Sequence, residues 1–216
     1  MSDGAESMSQ QAYSIIKDRV LNGTYSLDQK ISIKELTEGL GIGRSPVGEA
    51  LKRLQHEGLI TISPKSGNRI WSPTLGELEQ LMAYRKMMEV GALRMSRDVL
   101  RLADDLLELC HCMQEAIDAE DWLRYESFDY QYHMTLIQSS GNQYLIDSYR
   151  LVADKIRLAR NNMTRTFGLS NAGHYDIARA LRRNTFLAEQ ELDRHLTVSR
   201  ERFTGERSLS VNGVEV

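Results

Sequence analysis

The stretch KISIKELTEGLGIGRSPVGEALKRLQHEGLITISPKSGNRI, Lys30 to Ile70, decides the fold. Its first part, Ile33–Leu40, is short and amphipathic and runs into Gly41, Ile42, Gly43 and Arg44. Ser45 then stands as a helix N-cap with Pro46 at the first helical position. Val47, Ala50, Leu51 and Leu54 make one apolar stripe along a helix over 45–57, and Gly58 closes it. Two β-prone runs, LITIS and NRIWS, flank the turn sequence Pro64, Lys65, Ser66, Gly67 and predict a hairpin. Upstream, Tyr13, Ile16, Val20 and Leu21 recur at helical spacing between Ser9 and Asn22, with Gly23 just past the end. Helix, helix-turn-helix and two-stranded wing in this order are the layout of a winged helix, a DNA-binding arrangement. The same pattern also suits a small α+β packing domain.

Working outward, Ser72, Pro73 and Thr74 interrupt the pattern, and Thr74 to Glu77 reads as a capping box that starts a new helix. The sequence therefore predicts a domain over 1–72, a helical domain over 73–204 and a loose tail over 205–216. Helical periods cover 75–97, 101–119, 121–139, 142–166, 173–182 and 184–204, with stops at Gly141 and Gly168 and a break near Asn184. The fold class is mainly α: an N-terminal winged helix-turn-helix followed by a six- or seven-helix antiparallel bundle.

The chain has 216 residues, 41% apolar and 26% charged, which suits a helix-rich globule. No segment approaches the ~20 apolar residues that span a bilayer, and the start lacks an apolar signal core, so a cytoplasmic location with no membrane partner is expected. Net charge is −3. Residues 1–72 carry nine Lys and Arg against eight Asp and Glu, and the rest eighteen against twenty-two. Charge alone does not announce nucleic acid, so DNA binding must rest on local placement. Cys110 and Cys112 are two apart on a helix and diverge, which argues for ordinary thiols. His111 between them reads as a surface or interface histidine.

Within the turn motif, Arg44 is placed for a bidentate contact to guanine or for phosphate, and Ser45 for a phosphate oxygen. Lys34, Lys52 and Arg53 read as positioners, and Lys65 at the wing tip can reach the backbone or an adjacent minor groove. In the second half Asp129 and His133 lie one helical turn apart on one face. His174 and His195 sit on the last two predicted helices. If those helices pack beside 121–139, three imidazoles and a carboxylate converge, a set suited to Zn²⁺, Ni²⁺, Mn²⁺ or Fe²⁺, zinc leading. The plainer alternative is surface or core-capping histidines.

The Lys30–Ile70 stretch resembles the N-terminal domain of GntR-family transcription regulators, in which EAL, the spaced leucines, EGL and the wing glycine fall in register over residues 10–72. The resemblance implies operator contacts from Lys34, Arg44, Ser45 and the wing near Lys65–Gly67. One departure is Gly48, where the family usually has arginine. Arg85 four before Glu89, Asp129 four before His133, His174 opening HYDIARAL, and His195 resemble the FCD effector domain of the FadR-type branch. That resemblance implies a divalent metal on Asp129, His133, His174 and His195, with Arg85 meeting a small carboxylate effector. It also implies a homodimer on a double-stranded operator with an inverted repeat. The expected function is a transcription regulator whose operator affinity follows a metabolite at the metal site. The alternatives are a metal-dependent enzyme using the same Asp/His set, or a regulator whose bundle only dimerises. The enzyme reading lacks a clearly placed general base, since Glu126 lies two helical turns from His133.

Overall fold

A computed structural model of the chain describes residues 7–63, 67–162 and 169–212. Two compact units emerge: Met1–Ser72 with Arg157–Asn162, and Pro73–Ile156 with Met163–Val216.

The first unit contains α1 (Met8–Leu21), β1 (Lys30–Ile31), α2 (Ile33–Leu40), α3 (Arg44–His56), β2 (Ile60–Ser63) and β3 (Gly67–Ile70). Ser7 caps α1 by accepting a hydrogen bond from the Gln10 backbone N–H. Between α2 and α3 the chain turns through Gly41, whose φ of 65° lies in the left-handed region open to glycine. The helix of the turn motif starts one residue earlier than expected: Gly43 is the N-cap of α3 and makes no side-chain cap, so Ser45 does not cap it. Pro46 then falls within the first turn, where backbone N–H groups have no intrahelical partner and a missing one costs little. Val47, Ala50, Leu51 and Leu54 are buried as the stripe predicts.

The wing has three strands rather than two, in the order β1-β3-β2, with β3 antiparallel to both neighbours. Lys30 pairs with Arg69 and Ile60 with Ile70. A two-residue strand such as β1 is too short to show an alternation, so the hairpin was all that period-2 patterning could reveal. The expected wing tip, including Lys65, lies outside the described residues.

The boundary at Ser72 needs one addition. Leu158 is fully buried in the same apolar cluster as Ile16, Val20, Leu51 and Leu59, so the last turn of α7 belongs to the winged unit. Asn161 donates from its side chain to the Leu21 carbonyl, Asn162 Oδ1 accepts from the Leu27 N–H at 3.1 Å, and Arg157 donates to Asn22 Oδ1 at 2.8 Å. Gly23, with φ of 74°, lets this turn close in: a Cβ there would sit 3.1 Å from the Asn161 carbonyl oxygen.

The second unit is built from α4 (Leu75–Met95), α5 (Val99–Asp118), α6 (Trp122–Gln138), the body of α7 (Gln143–Asn161), α8 (Leu169–Leu181) and α9 (Thr185–Asn212). The capping box is present in full: the Thr74 N–H donates to Glu77 Oε2 at 2.7 Å, and the Glu77 N–H donates to Thr74 Oγ1 at 3.2 Å. Helix α4 packs against α6 and α9, α5 against α6 and α8, and α8 against α9. Tight turns at 119–121 and 182–184 fold α6 back along α5 and α9 back along α8. The loose tail expected from 205 is not what the backbone shows, because α9 continues to Asn212. The segment from Gly205 to Asn212 contains no proline and a single glycine, and therefore lacks a covalent stop. Cys110 is buried and Cys112 partly so, both as free thiols, and burial pushes the Cys110 thiol up to about 12. Among the described residues no helix is long and apolar enough to cross a membrane.

Candidate functional site

Helix α6 presents Trp122, Tyr125, Glu126, Asp129, Tyr132, His133, Leu136 and Ile137 to the interior of the helical unit. A helix so rich in buried polar groups has a cost, since each must find a partner away from water. Asp129 and His133, one turn apart, are 2% and 3% exposed, and His174 on α8 is fully buried. His195 comes from α9, which packs on both α8 and α4. The three imidazoles offer ligand atoms that all lie within 4.8 Å of one another and could hold a metal ion. Their rings pack edge-on or stacked, with centroids 5.2 Å apart for His133 and His174, 5.5 Å for His133 and His195, and 4.4 Å for His174 and His195.

The spacing can be tested against an ion. His133 Nε2 and His174 Nε2 are 3.2 Å apart. Two Zn–N bonds of about 2.1 Å joining nitrogens so separated would subtend an angle of about 100°, near the tetrahedral value and open to five- or six-coordination. Asp129 brings its carboxylate to 3.4 Å from His174 Nε2 and 4.0 Å from His133 Nε2. His133 Nδ1 faces Glu89 Oε2 at 2.8 Å. A carboxylate on one ring nitrogen favours the proton there and leaves the Nε2 lone pair for a cation, the usual support of a metal-bound histidine. The His195 pKa is driven well below the ordinary histidine value by lost hydration and by His174 and His133 beside it, so the ring stays neutral, as a ligand must be. The donor set fits a divalent ion.

Around this cluster the sequence left more unread. Glu89 is fully buried and serves three partners: Arg85 Nε donates to it at 2.6 Å, the Tyr149 hydroxyl at 2.5 Å, and His133 meets its second oxygen. Arg85 is 2% exposed. Burial alone would lower its pKa, but Glu89 holds it above the ordinary value. Its Nη1 is buried and has no hydrogen-bond partner among the described residues. Tyr149 is kept protonated by burial and by Glu89. Tyr132 donates its hydroxyl to the His174 carbonyl at 2.9 Å and so fixes the backbone that carries that ligand candidate. Spacing could flag Glu89, four after Arg85 on the same helix; no local signal marks Tyr132 or Tyr149.

In the winged unit, Arg44, Ser45 and Lys52 are exposed on α3, and Lys34 on α2 is exposed with only a 3.9 Å approach to Glu38. Gly48 lies on the outward face of α3, and a Cβ there would meet nothing within 4 Å. Arg53 is exposed on the same helix and also has partners within the chain. Its guanidinium lies 3.6 Å over the Tyr13 ring, donates to Gln10 Oε1 at 2.7 Å and approaches Glu57 at 3.6 Å, which ties α3 to α1. Gly67 opens β3 with φ of 78°. Arg69, unnoticed in the sequence, holds the Asp28 turn through the backbone carbonyl at 2.7 Å and the carboxylate at 3.1 Å.

A winged helix carrying exposed cations on its second turn-motif helix, joined to a helical unit with a buried histidine cluster, is the layout of a DNA-binding regulator with a second, helical domain. Comparison with known proteins makes the class specific. Residues 8–70 match the family described as "Bacterial regulatory proteins, gntR family", and residues 80–198 match the FCD domain. The chain belongs to the GntR family of DNA-binding transcription regulators, in the branch with an FCD domain. It is 29% identical over 145 residues to the HTH-type transcriptional repressor GlaR of Escherichia coli K12, covering 62% of this chain and 64% of that one. It is also 29% identical over 162 residues to the Nta operon transcriptional regulator of Aminobacter aminovorans, covering 71% and 73%. The chain thus spans about two thirds of the length of these relatives. In fold it is similar to a GntR-type transcriptional regulator from Rhodococcus sp. RHA1, with TM-score 0.83 and 22% identity over 93% of this chain and 99% of that one. It is similar as well to McbR/YncC of E. coli, with TM-score 0.79 and 16% identity over the same shares.

Proposed function

We propose that this protein is a cytoplasmic, homodimeric regulator that binds an inverted-repeat operator and senses a small carboxylate at a divalent-metal site in its helical unit. The observation that carries the reading is the convergence of His133, His174 and His195 beside Asp129, with Glu89 bracing His133 from behind. Those four would hold the ion, zinc being the best match to the nitrogen-rich set, with Ni²⁺, Mn²⁺ and Fe²⁺ as other candidates. When bound, the ion supplies a positive anchor for an anionic ligand. Arg85 then adds the second contact, because its buried Nη1 is available to a carboxylate while Nε stays with Glu89.

On the DNA side, Arg44 and Ser45 at the start of α3 face the duplex, Lys34 and Lys52 steer to phosphate, and the wing from Lys65 to Gly67 reaches the flanking groove. Arg53 acts through Tyr13 and Glu57 as a brace that fixes α3 against α1. A ligand changes operator affinity only as far as it prefers one arrangement of the dimer over another.

The test is operator binding by metal-loaded and chelator-stripped protein, titrated with acetate, lactate, succinate and citrate. The expected result is that at least one carboxylate shifts operator affinity about 5–150-fold, the usual range of coupling. The shift should vanish on metal removal or in Arg85→Gln. Operator affinity indifferent to both metal and every carboxylate would overturn the sensing reading and leave the DNA-binding one.

A further inference from the structure

We propose that Gly173 is the residue that seats His195 in the histidine cluster: the missing side chain on α8 leaves the space that the His195 imidazole needs, and any side chain there drives the ring out. This rests on the metal-site reading above and names a positioning residue within it.

Gly173 lies in the second turn of α8, directly before His174. Glycine is a poorer helix former than alanine because it loses more backbone freedom on folding. No turn asks for it here, since Gly173 is not among the glycines with positive φ. The reason for it stands opposite. A Cβ built on Gly173 would fall 2.7 Å from His195 Nδ1, 3.5 Å from its Cγ and 3.6 Å from its Cβ. These three nearest atoms all belong to the His195 side chain and none to the backbone of α9, so the gap serves the ring rather than the approach of the two helices. Unbonded heavy atoms settle about 3.5 Å apart, so a side chain at 173 obliges the ring to move.

Inward there is no room to yield. The centroid of the His195 ring is 4.4 Å from that of His174, and the ring stacks on His133 at 5.5 Å. Outward there is. Of the three imidazoles His195 alone is partly exposed. It forms part of the wall of a cleft of about 350 Å³ between α8 and α9, with Ala172, Asp176, Val198, Ser199 and Arg202. A methyl group at 173 therefore pushes the ring toward this cleft. Retreat from 2.7 Å to ordinary contact at 3.4 Å moves the nearest ring atom by about 0.7 Å, several times the ~0.2 Å within which metal–ligand distances hold. The displaced imidazole is lost as a ligand, while the helices stay packed because the cleft receives it.

The experiment uses the full chain stripped of metal by a chelator. Zinc affinity is measured by competition with a chromophoric chelator for wild type, Gly173→Ala, His195→Ala and the double variant, and the urea midpoint of each stripped protein is recorded. Gly173→Ala should weaken zinc binding about 100-fold or more, since losing a residue that only supports a ligand already weakens it about 10–100-fold. Its stripped form should unfold at the same urea concentration as wild type or a higher one, because alanine favours the helix. In the His195→Ala background the same substitution should change zinc affinity by less than about twofold, because no ring is left to displace; a glycine needed only for helix packing would show no such coupling. Nuclear Overhauser contacts between the His195 and His174 rings, present in stripped wild type, should disappear in Gly173→Ala and so report on the seating without metal. Zinc binding by Gly173→Ala within twofold of wild type, an equal loss in both backgrounds, a stripped variant that unfolds, or unchanged ring contacts overturns the proposal. A wild type that takes no zinc, with ring contacts that respond as expected, fails the metal reading and leaves the seating of His195 standing. A wild type and a Gly173→Ala variant that take zinc equally well leave the metal reading standing and fail the role of Gly173.

Discussion

The two units handle charge in opposite ways. In the winged unit the cations implicated in function are solvated: Lys34, Arg44 and Lys52 stand on the surface over a core of Ile16, Val47, Leu51 and Leu54. In the helical unit the charged groups of the candidate site are inside. Arg85, Glu89, Asp129, His133 and His174 are each no more than 3% exposed and are bonded mainly to one another. A solvated cation contributes little to stability and can be exchanged at the cost of a partner contact alone. A buried network cannot be edited so locally, because removing one member leaves another unpaired in a medium that does not solvate it. The stability of the winged unit therefore rests on its apolar core and not on these cations, whereas that of the helical unit rests in part on the buried network.

The largest expected effect breaks that comparison at its strongest point. Glu89→Ala strips Arg85, Tyr149 and His133 of their common acceptor and should cost about 3–5 kcal/mol of unfolding free energy, read by urea denaturation. Glu89→Gln, which keeps shape and one acceptor oxygen, should be milder in stability while weakening metal affinity some 10–100-fold, because His133 loses its carboxylate brace. A denaturation midpoint for Glu89→Ala within error of wild type would dissolve the contrast between the units. A smaller effect is expected on the other side. Arg44→Ala should leave the denaturation midpoint unchanged and weaken operator binding by about 1–3 kcal/mol, measured by fluorescence anisotropy on operator and scrambled duplexes. Loss confined to the operator would make Arg44 a base reader; equal loss on both would make it a phosphate contact.

The same contrast explains what the sequence revealed. The wing unit is built from local signals. Apolar periodicity delimits α1, α2 and α3 to within about a residue or two of the observed ends. Two of its features were not local. Strand β1 is two residues long and takes its identity from β3, and the turn at Arg157–Asn162 joins this unit from 135 residues away in sequence, as the pairing of Asn22 with Arg157 shows. The cap of α3 was misplaced by two positions, because Ser and Pro satisfy start signals that Gly43 meets through backbone geometry alone. In the bundle, Asp129 and His133 were legible as a one-turn pair, and His174 and His195 as histidines on neighbouring helices. What joins them was not. The bond from Tyr149 to Glu89 and that from Tyr132 to the His174 carbonyl depend on how helices cross, which no spacing within a single helix encodes. Arg85 was assigned to an effector; its Nε is bonded to Glu89, and its buried Nη1 has no hydrogen-bond partner among the described residues.

The central claim is that three imidazoles from α6, α8 and α9 hold a cation. Its most direct test is elemental analysis by mass spectrometry of protein purified without chelator or histidine tag, beside a His133→Ala variant whose helical content is shown to be intact. The account predicts about one divalent ion per wild-type chain and close to none in the variant, as expected when a first ligand is removed from a site of three or four. A metal-free wild type, or a variant that keeps its full complement, would contradict it.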